Sequence, residues 1–469
     1  MTALEEHRLI TLTIAQLASQ AELGLVSIYG FISSIRLVGK NKVFMVLREG
    51  GETVQAVYSG SGVEGLGLEL RSKLTAESYV GIRGKLVETK QEILSCTVKR
   101  REIQVEDVEI VSLAAELPYQ LKDLSWTAQE RVETPQLPVV GLSKRLDLRS
   151  LDLRSVESRS IFLIYSGVLQ AFRSALVERN YLEIKTPKLL GGASEGGADV
   201  FVVDYFKEKA SLAQSPQLYK QLAVIGGLER VFEIGPCFRA ENSNTGRHLT
   251  EFTGVDLERE LKGESYINVV GEIYDVLKTV IRSVGSKYEA ELKAITEITG
   301  RSNTTIVTDA PVILTFKEGI DILREIGRSG DYLTDIGTED ERLLGEQVKL
   351  RYQTDLFVLV NYPASARPFY TALLPEDSNY TQSYDFIFKG EEILSGAVRI
   401  HEHEVLLQRV RAKGIAEESV RPYTDSFIYG VPPHAGCGIG LERVVKLLTE
   451  TGDIHKCSMF PRDPSRLHP

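Results

Sequence analysis

Between residues 25 and 111 the apolar positions fall in short runs, "LVSIYGFISSIR", "KVFMVLRE", "TVQAVYSG", "YVGIRGKLVET" and "VEDVEIVSLA". They are rich in β-branched and aromatic residues, with glycine or polar turns between them, which is the pattern of strands. Roughly five such strands in fewer than ~100 residues predict a small Greek-key barrel. The pattern then changes. From Glu157 to Arg179 the apolar residues recur at helical spacing, and Asn180 can end the helix. Residues 263–298 and 337–350 also read as helices. They separate a central β segment, "VFEIGPCFRAE" and "HLTEFTGVDLE", from later ones, "DLFVLVNYP", "YDFIFKGEEILSGAVRIH" and "GCGIGLERVVKLL". Hairpin links between these strands predict an α+β domain whose mainly antiparallel sheet is flanked by helices, not a doubly wound parallel one. A connector over 114–150 carries Pro118, Pro135 and Pro138. Its "RLDLRSLDLRS" repeats a short unit only twice and reads as the polar approach to a helix. The expected organisation is an N-terminal helical segment over 1–20, the barrel over 21–113, a linker over 114–150, and a second domain over 151–469 with a helical insertion at about 261–350.

The 469 residues fit two or three domains, and 43% hydrophobic with 26% charged residues fits a globular chain. No run approaches the ~18 uninterrupted apolar residues of a membrane span. The N-terminus carries acids early and does not read as a leader. Cys96, Cys237, Cys437 and Cys457 lie far apart, so neither a disulfide scaffold nor a structural zinc site is expected, and a reducing cytoplasm is the natural compartment. The net charge of −10 argues against nonspecific nucleic-acid binding, but residues 21–113 hold 12 basic and 12 acidic residues and are neutral. An oligonucleotide-binding (OB) barrel, which grips single strands, and an SH3-like barrel fit that segment equally well.

The densest chemistry lies in "FRAENSNTGRHLTEF", residues 238–252. Read as a hairpin, it places Arg239 and Glu241 on one strand face. On the partner strand Phe252, Asp256 and Glu258 share a face opposite Leu249, Val255 and Leu257. Arg247 and His248 close the tip. Guanidinium groups match phosphates and an aromatic ring can stack a purine, so the polar face suits a nucleoside triphosphate. A charged hairpin held by solvated ion pairs has the same composition.

Other segments decide between these. "FRAENSNTGRHLTEF" resembles motif 2 of the class II aminoacyl-tRNA synthetases, "GCGIGLERVV" resembles motif 3, and "YLEIKTPKLL" resembles motif 1. "SEGGADVF", "AQSPQLYKQ" and "EEILSGAVRIH" resemble the aspartate-specific subgroup in its archaeal and eukaryotic form. The resemblance runs from about residue 20 to the C-terminal "MFPRDPSRLHP". It implies an OB-fold anticodon-binding barrel joined to a class II catalytic domain, and a cytoplasmic, membrane-free homodimer that charges tRNA-Asp. It implies two steps, with L-aspartate and ATP giving aspartyl-adenylate and the aspartyl group then passing to the tRNA 3′ end. The catalytic residues would be Arg239, on the α-phosphate and the aspartate carboxylate, and Arg443, on the γ-phosphate. Phe252 would stack the adenine beside Glu241. Arg247 and His248 would touch the distal phosphates, and Leu249, Gly440, Leu441 and Glu442 would complete the ATP site. Glu392 and Ser395 would hold Mg2+, whose hard charge suits oxygen ligands. Pro187 would lie at the dimer interface.

For the amino acid, the resemblance assigns Lys220 and Arg399 to the side-chain carboxylate, and Glu195 and Gln217 to the amino end, with Ser395 alongside. Asparaginyl relatives carry an apolar residue at the position of Lys220. In the barrel, Phe44 and Gln55 match the base-stacking aromatic and the base-reading amide. A core aromatic is the competing reading of Phe44, and a helix-surface lysine that of Lys220. The first barrel strand reads "YGFISSIR" where relatives show an Arg-Val-His stretch, although Arg36 is kept, and Cys437 stands where glycine is common. His401 and His403 lack a third ligand and are not read as a metal site. The alternatives are an asparaginyl-tRNA synthetase, a catalytically inactive RNA-binding paralogue, and an ammonia-dependent asparagine synthetase on the same fold.

Overall fold

The computed structural model describes residues 10–20, 23–38, 42–59, 74–191, 200–243 and 245–468. Glu195 lies outside them. The chain divides into two compact units, residues 1–123 and 124–469.

The first unit is a closed barrel. A short β1 (Ile10–Thr11) pairs in parallel with β2 (Leu25–Val38), which is followed by β3 (Lys42–Glu49), β4 (Glu52–Ser59), β5 (Tyr79–Glu88) and β6 (Arg101–Ser112). The order β2-β3-β4-β6-β5 closes on itself through β2 and β5, which removes free sheet edges. Val43, Met45 and Leu47 point into the core with Ile28, Ile32, Val54, Ala56, Val80 and Ile82. The alternate residues of β3, Phe44 and Arg48 among them, take the opposite face. The N-terminal segment is not only helical, because β1 precedes the helix Ile14–Ser19, whose Ile14 and Leu17 join the barrel core.

The second unit is built on an eight-stranded sheet. Its strands in sequence are β7 (Leu182–Glu183), β8 (Leu189–Leu190), β9 (Val202–Tyr205), β10 (Glu208–Leu212), β11 (Arg230–Phe238), β12 (Glu251–Glu260), β13 (Ile313–Thr315), β14 (Leu356–Val360), β15 (Ser383–Phe388), β16 (Glu391–Val398) and β17 (His434–Gly440). The large sheet runs β13-β14-β15-β16-β17-β12-β11-β7, and β8, β10 and β9 form a small sheet beside it. All inner pairings are antiparallel, and only the two edge pairings are parallel. The helix Val156–Val177 is long and apolar enough to cross a membrane by composition alone. Here Ile161, Ile164, Val168, Phe172 and Leu176 pack it into the core against one face of the sheet.

The structure adds detail to two sequence readings. The stretch 261–350 is mostly helical and also holds one short strand. The helix Tyr266–Lys287 supplies Val269, Ile273, Leu277 and Val280 to the main core, Ile313–Thr315 is an edge strand of the main sheet, and a further helix, Phe316–Glu325, follows it. "RLDLRSLDLRS" leads into the helix Val156–Val177, and its Arg145 and Arg149 are buried in an ion cluster. Arg145 donates to Asp152 (2.6 Å) and Glu157 (2.7 Å), and Arg149 pairs with the same Asp152. Arg149 also donates to the main-chain carbonyls of Lys456, Ser458 and Met459, and Lys456 returns to Glu157 at 2.7 Å. That distal segment continues onto the β11–β12 hairpin: Ile454 N–H donates to Gly246 O (3.0 Å), and Thr250 N–H to Arg462 O (2.9 Å).

Candidate active site

Strands β11, β12, β15, β16 and β17 form the floor of a cleft of about 730 Å3. The register explains which side chains face it. Phe252 lies opposite Cys237, and Asp256 lies two pleats further along the same face, while Val255 and Leu257 go to the core. The cleft brings together Gln217, Arg239, Glu241, Arg247, His248, Leu249, Phe252, Glu392, Ser395, Arg399, Gly440, Glu442 and Arg443, which the sequence had placed more than 200 positions apart.

In the nucleotide half, the Arg239 guanidinium sits 5.4 Å from the Phe252 ring centroid. Arg443 follows Gly440 in the first turn of the helix Leu441–Thr449 and donates to Glu392 O at 2.9 Å. The helix start adds a favourable field for anions. Burial and the neighbouring Arg443 push His248 below its usual pKa, so it offers a neutral imidazole rather than a third cation. Two expected contacts differ. Leu441 is core and does not line the cleft. The Glu442 carboxylate accepts from Thr253 N–H (3.1 and 3.0 Å) and Tyr165 OH (3.1 Å), so it braces β12 against the helix Val156–Val177.

In the amino-acid half, Arg399 donates to both oxygens of Glu258 (2.9 and 3.2 Å) and to Gln217 Oε1 (3.1 Å). Gln217 donates to Gln221, which donates to His434 Nε2 at 2.9 Å, while His434 Nδ1 donates to Pro432 O. That bonding pattern is the neutral imidazole, and burial keeps the His434 pKa low. Lys220 is not a surface lysine. It is 1% exposed and reaches Asp256 Oδ1 (2.9 Å), Cys437 O (2.8 Å) and Glu258 (3.7 Å). Burial alone would raise the Glu258 carboxyl, but Arg399 and Lys220 hold it below its usual range. Glycine in β17 makes room for this layer, because a Cβ on Gly436 would lie 2.2 Å from Glu258 Oε2.

Two cleft residues escaped the sequence reading. Arg367 is buried over the Tyr362 ring (3.9 Å) and donates to Ser395 Oγ (2.7 Å) and Asp385 Oδ2 (2.6 Å). Nothing in "ASARPFY" marks it. Asp385 did carry a signal, a lone acid inside the apolar run "YDFIF". Burial, against the pull of Arg367, pushes its carboxyl up to about 7, and among the described residues its Oδ1 is buried without a hydrogen-bond partner. Among the described residues no three His, Cys, Asp or Glu side chains converge on a metal site. Mg2+ on phosphates needs only one or two carboxylates, and the orphaned Asp385 oxygen beside Ser395 and Glu392 fits that demand.

In the barrel, Phe44 is not core. It is half-buried on the outer face with Arg36 5.6 Å from its ring centroid. Gln55 Nε2 donates to Glu102 at 2.8 Å, so its amide is engaged within the barrel.

Residues 142–464 match the family described as tRNA synthetases class II (D, K and N), and residues 26–111 match the OB-fold nucleic acid binding domain. The chain is 42% identical to a cytoplasmic aspartate–tRNA ligase of Caenorhabditis elegans, over 94% of this chain and 84% of that protein. It is similar to the structure of an aspartyl-tRNA synthetase from Entamoeba histolytica, with TM-score 0.88, 37% identity, and coverage of 100% of this chain and 94% of the other. An asparaginyl-tRNA synthetase from Pyrococcus horikoshii, solved with asparaginyl-adenylate, is also similar at TM-score 0.86 but 28% identity, covering 98% and 99%. A catalytic unit matched from 142 to 464 behind a matched OB barrel places this chain in the class II tRNA synthetase family of the D, K and N type.

Proposed function

We propose that the chain is an ATP-dependent ligase that activates L-aspartate and transfers it to the 3′ end of tRNA-Asp in the cytoplasm. The observation that carries the choice of amino acid is the pair of buried cations, Arg399 and Lys220, at one end of the cleft, balanced by Glu258 and Asp256. A lysine substrate would set a third cation against them. Asparagine would bring no charge, whereas aspartate brings a carboxylate that the cations favour. Relatives named cytoplasmic aspartate–tRNA ligases support the same reading.

In the first step an oxygen of the substrate α-carboxylate attacks the α-phosphate, and the bond to pyrophosphate breaks. No protein nucleophile is needed, so the residues act by alignment and charge stabilisation. Arg239 takes the α-phosphate and the carboxylate, Phe252 stacks the adenine, and Arg247, His248 and Arg443 take the distal phosphates. When bound, Mg2+ would neutralise phosphate charge, held by Glu392 and Ser395 together with Asp385. In the second step a ribose hydroxyl at the tRNA 3′ end attacks the acyl carbon, and AMP leaves. Phe44 on the barrel's outer face stacks an anticodon base.

A homodimer through the segment around Pro187 is part of this reading. Pro187 is exposed, and Val177, Leu182 and Leu189 around it are apolar and exposed. A monomer in sedimentation at working concentration, fully active, would refute it. The function itself is tested by ATP–pyrophosphate exchange. Exchange that depends on aspartate and not on asparagine is expected, and exchange with asparagine alone, or with neither, overturns the proposal.

A further inference from the structure

We infer that Glu341 is a positioning residue for ATP, acting by holding Arg247 at the edge of the cleft. The inference rests on the reading of Arg247 as a contact of the distal phosphates. Glu341 does not line the cleft, and it lies in the stretch 261–350. It sits in the first turn of the helix Thr338–Tyr352, which packs against β16, and it is 8% exposed.

Its two oxygens have different tasks. Oε1 accepts from the backbone N–H of Glu392, so the carboxylate is tied to the sheet itself. Oε2 accepts from Arg247 Nη2 at 3.0 Å. Arg247 needs such a tie, because it stands in the turn between β11 and β12, where no strand ladder fixes it. An arginine side chain carries ~2 kcal/mol of rotamer freedom that binding must otherwise remove. The second carboxylate near Arg247 is Glu391, 3.6 Å from its Nε, but both Glu391 oxygens already accept from Lys446 at 2.8 and 2.6 Å.

The guanidinium is therefore held at Nη2, while Arg247 Nε is buried with no hydrogen-bond partner among the described residues. A guanidinium has five donors, and the geometry engages one of them with Glu341. A phosphate at the cleft can take the open edge without displacing Glu341. Charges agree with this arrangement: Arg247, Arg443 and Lys446 face Glu341, Glu391 and Glu392, so the cluster is balanced before an anion arrives. Glu341 sets the direction of Arg247 and does not compete for it.

The test is a double-mutant cycle in the full chain, read by ATP–pyrophosphate exchange and by equilibrium ATP binding. Glu341→Gln keeps an oxygen for Glu392 N–H and removes the charge that holds Arg247. Its KM and Kd for ATP should rise about tenfold, an ordinary coupling energy for residues in contact, with kcat and the KM for aspartate within about twofold. Arg247→Ala should raise the ATP values at least as much, and adding Glu341→Gln to it should change nothing further. Glu341→Asp, which keeps the charge, should stay within about threefold of the parent. It serves as the readout if the glutamine variant does not fold. If Arg247→Ala leaves ATP binding unchanged, the reading of Arg247 fails and the inference with it. If Arg247→Ala weakens ATP binding but Glu341→Gln does not, or tightens it, or the two losses multiply, Arg247 keeps its role and the inference about Glu341 is wrong.

Discussion

Lys220→Met tests the charge balance of the amino-acid half. The methionine fills nearly the same volume but deletes a cation that is 1% exposed and lies 2.9 Å from Asp256 and 3.7 Å from Glu258. Two cations facing two carboxylates become one cation facing two. Breaking a buried ion pair by removing one partner costs roughly 3–5 kcal/mol, because the remaining charge is left uncompensated. Part of this appears as lower folding stability, and part as reluctance to admit an anionic side chain beside an excess negative charge. At ~1.36 kcal/mol per decade, the expected loss in kcat/KM for aspartate is about 10²–10³. The assay is aspartate-dependent pyrophosphate exchange, with the KM for ATP and the thermal midpoint as controls. The ATP value should move little, because Arg239, Phe252 and Arg443 are untouched. A variant within about threefold of the parent, a difference of ~0.7 kcal/mol, would show that the Lys220–Asp256 pair does not set the pocket's charge. Equal losses for aspartate and ATP would mean a damaged fold instead.

Two further outcomes are expected. Phe44→Ala should weaken tRNA charging by ~1–3 kcal/mol and spare pyrophosphate exchange, since the ring faces outward with Arg36; an equal fall in exchange would mean that the ring supports the fold. Burial pushes the Glu442 carboxyl from 4.5 up to about 6, so the folded chain keeps a proton that the unfolded chain has released. Parent stability should therefore fall as pH rises from about 4.5 to about 6, and Glu442→Gln should lack that fall. Thermal melts across pH 4–8 check this: the variant should gain on the parent up to about pH 6 and then run parallel, and a constant offset throughout would refute the shift.

The strand pattern of the barrel and the antiparallel sheet were readable because alternation reports burial directly: Val43, Met45 and Leu47 go in, and Phe44 goes out. The hairpin face of Phe252 and Asp256 was readable for the same reason. Lys220 was recognised as important, but nothing in "QLYKQ" tells that Asp256, from a distant strand, is its partner. Arg145 and Arg149 look like surface charge, because their partners Glu157 and Lys456 and the carbonyls near 459 are separated from them by up to about 310 positions. The role of 261–350 was hidden because Ile313–Thr315 is too short to register as a strand, although the sheet ends on it. Glu341 carries no local mark at all, since its meaning comes from Arg247 and Glu392, one on each side of it in the chain.

The ties from the distal segment to the β11–β12 hairpin and to Arg149 also impose an order in time on the ribosome. The barrel has its last strand once Ser112 has emerged, and it can fold while the rest is still being made. The hairpin turn that carries Arg247 has no such freedom: its carbonyl at Gly246 and its amide at Thr250 wait for Ile454 and Arg462. Arg149, translated some 300 positions earlier, waits for the carbonyls of Lys456, Ser458 and Met459. A nascent chain stalled anywhere between these points holds a finished RNA-binding barrel and an unfinished nucleotide pocket, so it could occupy tRNA without consuming ATP.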